Sequence, residues 1–212
     1  IWWNKTLEDS VSHTVGVSED LKAGVRNSIE IIGNEVVRRR RRQNLDPLPK
    51  DQAQVLAVQS LRFLYRILFL LYAEASPELG VLQVGDPTYQ RGYSLDRLRE
   101  MVQVPLEEQS AREGAHLYQS LKLLFDLIDR GHNPIRGEAG DAAATAQEGL
   151  QFNALRADLF LPEATALIDE VGLSNLAMQS ILQELLLSAE VRGRQRGFIS
   201  YAELGINQLG AV

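Results

Sequence analysis

Five consecutive arginines, Arg38 to Arg42, are the residues of this 212-residue chain whose type and spacing speak most directly of chemistry. A guanidinium is a planar fork suited to paired oxygens, so such a run reads as a contact with the phosphate backbone of duplex DNA. It equally reads as an exposed helix end, where the dipole favours cations by about 0.3–1 kcal/mol. In a helix, five successive side chains fan around the whole axis and cannot form one phosphate-facing row. Both readings stay open. Arg192, Arg194 and Arg196 alternate with Gly193, Gln195 and Gly197 and form a second basic stretch with the same two readings.

Other chemistry is hard to assemble. A dinucleotide or methyl-donor loop needs glycines two apart so that backbone can approach the ligand, and no two glycines here have that spacing. A phosphate-binding loop needs Gly-Lys, which does not occur, and neither Gly-x-Ser-x-Gly nor His-Glu-x-x-His is present. His13, His116 and His132 lie far apart, with no acids at ligand spacing, and read as surface or loop histidines. Asp169-Glu170, Glu107-Glu108 and Asp126 with Asp129 could pair for acid–base work. Adjacent acids point to different helix faces, so solvated charge is the simpler account. The chain has no cysteine, which excludes disulfides, thiol nucleophiles and cysteine metal sites.

The elements that must position these residues read as helices. Leu21, Val25, Ile29, Ile32 and Val36 recur at spacings of three and four behind Ser18, a good N-cap, so a first helix is expected from Ser18 into the arginines, with residues 1–17 as a lead-in. Asn44 to Pro49 reads as a connection. A second helix is expected from Asp51 to Ala75, apolar nearly all round except for a polar strip of Gln59, Arg62 and Arg66. Charges at Arg62, Arg66 and Glu74 interrupt its apolar run, so it is a central core helix and no membrane span. Gly80 to Gly92 reads as a long loop, Ser94 to Val102 as a short helix, and Glu107 to Arg130 as one long helix. Residues 132–149 read as a surface insertion, and Leu150 to Leu161 as a return to the core. Ser174 caps a last helix carrying Met178, Ile181, Leu182 and Leu185, and Phe198, Ile199 and Tyr201 make at most one short edge strand. The expected fold is all-α: an irregular bundle of four to five main helices with long loops, forming one domain over 18–212.

A formal charge of −6, with the acidic excess in the second half, makes the bulk of that half a poor nucleic-acid surface. The opening Ile1-Trp2-Trp3-Asn4 has no basic region leading into an apolar one, so it reads as no signal peptide, and without an initiator Met the chain reads as part of a longer protein.

Several stretches together resemble one family. Leu61 to Ala75 (LRFLYRILFLLYAEA) comes first, then Gly92-Tyr93-Ser94-Leu95 leading to Leu98-Arg99. Phe152-Asn153, Leu159-Phe160 and Leu167-Ile168-Asp169 follow, and Ile199 to Gly210 (ISYAELGINQLG) comes last. Their order resembles the helical region preceding the catalytic domain of large adenine-specific DNA methyltransferases, as in type IIG restriction-modification enzymes and the BREX and DISARM phage-defence systems. The resemblance covers about three quarters of the chain, from Gln52 onward, and implies a cytoplasmic parent that uses S-adenosylmethionine. In that family a glycine-containing loop binds the cofactor and an Asn-Pro-Pro-Tyr-like motif holds a flipped adenine. This chain has no Pro-Pro pair, so no catalytic, cofactor or metal residue carries over. The implied role is a connector between an upstream module and the methyltransferase domain. Leu204, Ile206, Leu209 and Val212 would be the docking edge, with duplex DNA a further partner. The alternative is a stand-alone helical protein-interaction module unrelated to nucleic acid.

Overall fold

The computed structural model describes residues 2–132, 150–188 and 197–204, with residues 2–18 as backbone alone. Among them the architecture is all-α, as expected, with no strand. No proline interrupts the start of the chain, and helix α1 runs Trp2–Arg42, roughly 60 Å at 1.5 Å per residue. Ser18 therefore lies inside the helix and is not its cap. Leu21, Val25, Ile32 and Val36 are buried as the spacing requires and Ile29 is half-buried, while Gly24, Ser28 and Glu35 are buried beside them. Asn44, in the left-handed conformation at φ 56°, ends the helix: Leu45 N–H donates to Arg40 C=O at 2.9 Å, closing a Schellman turn.

Helix α2, Ala53–Ala75, is the centre of the molecule. Length and composition alone would let it cross a membrane. Here Phe63, Leu64, Ile67, Leu68 and Leu70 are buried against the other helices. The expected loop after it holds helix α3, Pro87–Gly92, whose N-cap Asp86 accepts from Thr88 N–H and Tyr89 N–H. Helix α4, Asp96–Met101, follows.

The long helix expected over 107–130 is divided into α5, Gln109–Glu113, and α6, His116–Arg130. The cause lies far away in sequence. Asn175 Nδ2 donates to Ala111 C=O at 2.8 Å and Asn175 Oδ1 accepts from Leu117 N–H at 3.1 Å, so one side chain satisfies the end of α5 and the start of α6. A Cβ on Gly114 would lie 2.8 Å from that same Nδ2.

After residue 150 the chain returns to the core through Phe152 and Phe160 and reaches α7, Ala166–Asp169. Helix α8, Asn175–Leu186, is capped as expected: Ser174 Oγ accepts from Ala177 N–H at 3.3 Å. Among the described residues the edge strand expected near Phe198 is one isolated antiparallel bridge between Leu187 and Phe198, next to Leu186 where helix α8 ends.

Helices α1 and α8 run antiparallel, Glu35 lying beside Ser174 and Gly24 beside Glu184. A Cβ on Gly24 would sit 2.4 Å from the Glu184 carbonyl oxygen, whereas one on Gly33 would meet nothing within 4 Å. Helix propensity alone favours alanine at both positions by about 1 kcal/mol. Gly33→Ala is therefore expected to stabilise the protein by about 0.5–1 kcal/mol, and Gly24→Ala to destabilise it by about 1–3 kcal/mol by prising the helices apart. Chemical denaturation of the two variants measures the signs. The same sign for both would mean that the α1–α8 crossing is not close-packed.

Candidate functional site

The arginine run ends α1 where α5, α7 and the start of α8 converge, and most of its donors point inward. Arg38 makes a double fork. Its Nε and Nη2 donate to Glu35 at 2.8 and 2.9 Å, and its Nη1 and Nη2 donate to Glu113 at 2.8 and 3.0 Å. Arg42 also pairs with Glu113. Arg39 Nε donates to Val171 C=O at 2.9 Å, a carbonyl shared with Gln43 Nε2. Arg40 donates to Asp46 C=O at 2.9 Å and pairs with Glu170. Among the described residues Arg41 alone of the five has no carboxylate partner. Glu170, expected as solvated charge, is thus an anchor for Arg40.

Glu35 is the hub. It is only 7% exposed, and its Oε1 also accepts from Ser174 N–H at 3.1 Å at the head of α8. Burial alone would push its carboxyl up, but hydrogen bonds from Arg38 and Ser174 prevail and hold it below the ordinary carboxylate value. The same forks hold Glu113 down and lift Arg38 above its usual range.

A second polar cluster is built on α2. Of the expected polar strip, only Arg62 is exposed, while Gln59 and Arg66 are buried. Arg66 Nε donates to Leu159 C=O at 2.7 Å, Nη2 to Leu161 C=O at 2.8 Å and Nη1 to Thr165 Oγ1 at 3.0 Å. Its guanidinium carbon lies 5.5 and 5.7 Å from the ring centres of Phe125 and Phe160. Gln59 Oε1 accepts from Leu167 N–H at 2.7 Å. Thr165 passes the network on to Asp169, which also accepts from Tyr118 and Lys122. Burial and then the Asp169 bond push the Tyr118 hydroxyl well above its ordinary value, so it serves as a donor and not as a base.

Nothing in these clusters has the layout of a catalytic centre. The oxygens of Asp169 are taken up by three donors, and among the described residues no group of three His, Asp or Glu could hold a metal ion. His116 Nδ1 accepts from Asn175 Nδ2 at 2.8 Å, and His132 is exposed. The side chain of His13, together with Arg192, Arg194 and Arg196 and most of the 132–149 insertion, lies outside the described residues.

The expected docking edge needs one correction. Leu204 is 3% exposed: it packs inside the fold just after Tyr201, whose hydroxyl donates to Leu185 C=O at 2.7 Å, and so offers no free surface. Ile206, Leu209 and Val212 lie outside the described residues. Comparison with known proteins adds no relative: no family model, curated protein or solved structure matches the chain.

Proposed function

We propose that this chain is a non-catalytic helical connector of a large S-adenosylmethionine-dependent DNA adenine methyltransferase, holding an upstream module in a fixed position relative to the catalytic domain. One observation carries this reading: the stretches that resemble the family contact one another and form a scaffold. Arg66 and Phe69 of the Leu61 to Ala75 stretch hold Leu159 and Phe160. Glu74, from the same helix, accepts from Ser94 Oγ at 2.5 Å and Leu95 N–H at 2.7 Å, and Tyr93 packs edge-on against Phe152. A stretch whose residues serve mutual packing suits a part that transmits position. Arg38, Arg39, Arg40 and Arg42 each give at least one donor to an internal acceptor of the same scaffold; in this reading DNA backbone contact falls to Arg192, Arg194 and Arg196.

Two results follow. Titration calorimetry with S-adenosylmethionine is expected to show no binding to this chain, and no methyl transfer to duplex DNA is expected from it. The reading frame beyond Val212 is expected to hold a glycine-containing loop followed by an Asn-Pro-Pro-Tyr-like motif. Saturable cofactor binding by the 212 residues alone, or a stop codon directly after Val212, would overturn the connector reading.

A further inference from the structure

Arg41, alone of the five-arginine run in having no carboxylate partner among the described residues, stands over an apolar groove. Val37, Arg40, Arg41, Asn44, Leu45, Pro47 and Leu48 line a depression of about 500 Å³ between the end of α1 and the connection to α2, a volume within the range of about 300–1,000 Å³ typical of binding clefts. Val37 is 54% exposed although its neighbour Val36 is buried, and it lies one helical turn from Arg41, on the same face. The Schellman turn at Asn44 brings Leu45 back beside the helix end, and Pro47 and Leu48 extend the apolar floor.

We infer that this groove is a docking site for an acidic segment of another protein, one presenting an aliphatic side chain to the floor and a carboxylate to Arg41. The complementarity is specific to that chemistry. Arg40 on the rim is already committed to Glu170 and the Asp46 carbonyl, which leaves a single available guanidinium, matched to one carboxylate and not to a row of phosphates. A nucleic acid would also leave Val37 facing water, whereas an aliphatic side chain would cover it and the outward parts of Leu45 and Leu48. This inference goes beyond the connector role, since it requires only that the groove be open.

The test uses a synthetic helical peptide with a leucine stripe bordered by glutamates, followed by amide chemical shifts and by calorimetry. Saturable binding below about 1 mM is expected, with shifts at Val37, Leu45 and Leu48. Arg41→Glu, Val37→Asp and a peptide with glutamine in place of glutamate are each expected to weaken it by about tenfold or more, a change of about 1.4 kcal/mol. Both substitutions fall on exposed side chains, and circular dichroism verifies that each variant remains helical. Absence of peptide binding overturns the inference, as does binding indifferent to both substitutions. Duplex DNA binding that is lost in Arg41→Glu and kept in Val37→Asp would overturn it in favour of a phosphate contact.

Discussion

Replacing Glu35 with alanine is expected to lower stability at pH 7 by about 1–3 kcal/mol, chiefly for leaving the buried Ser174 N–H unsatisfied, since Arg38 is 40% exposed and keeps Glu113. Three elements depend on this carboxylate: α1 carries it, Arg38 links it to Glu113 at the end of α5, and Ser174 N–H ties it to the head of α8. The pH dependence has a definite sign. Because the folded protein holds the Glu35 carboxyl below its ordinary value, its contribution is present above the unfolded value near 4.5 and is lost as pH falls through the folded value. Glu113 acts in the same direction. Glu74 opposes them: burial raises its value despite bonds from Ser94 and Leu95, so its contribution is present at low pH and lost as pH rises through the raised value. Thermal melts at pH 7 and pH 3 on the wild type and Glu35→Gln separate the terms. The variant should be the less stable protein at pH 7, and its loss on acidification should be clearly smaller. Equal acid sensitivity in both proteins would show that Glu35 is not the group that titrates.

Which parts of this arrangement the sequence disclosed follows from the range of the forces involved. The stripe Leu21, Val25, Ile32 and Val36, the central apolar helix and the Ser174 cap are local patterns, and each one is legible over a few turns. The division at Gly114 is not local, because its cause is Asn175, whose amide competes for the helix from 64 residues away. Nor could spacing show that Arg38 meets Glu113 at a separation of 75 residues, or Arg66 Thr165 at 99. Read in isolation, an arginine run has unsatisfied donors and suggests an external anion. Within the fold the acceptors come from the chain itself. One signal did bear on this: the apolar stripe of α1 continues through Val36 to fall next on Arg39 or Arg40, where a charge facing the domain needs an internal partner. The helix start was misplaced for a different reason. A serine favours a cap, but no proline stands between Trp2 and Arg42 to stop the helix before it.

Arg66→Met should be comparably damaging, although methionine keeps much of the volume and the apolar stem. The loss is of donors. The Leu159 carbonyl would lose its donor, whereas the Leu161 carbonyl keeps Ala164 N–H at 3.0 Å and the Thr165 hydroxyl keeps Asp169, so one group is left unsatisfied at about 1–3 kcal/mol. Arg66 is 3% exposed, and burial depresses the guanidinium below its ordinary value against the pull of Asp169. A total loss of about 1–3 kcal/mol is expected. Arg66→Lys should recover only part of it, because a compact ammonium reaches one or two acceptors and cannot stack as a plane against Phe125 and Phe160. The damage should also have a location. Residues 158–169 are held to α2 by Arg66 and Gln59, so hydrogen exchange in the variant should accelerate first at the amides of Phe160, Ala164 and Glu170, before the α1–α8 pair opens. Uniform acceleration across the whole chain would mean that Arg66 supports global stability without clamping this segment. A variant as stable as the wild type would show that apolar packing alone holds 158–169 in place, and the scaffold on which the connector reading rests would lose its central polar clamp.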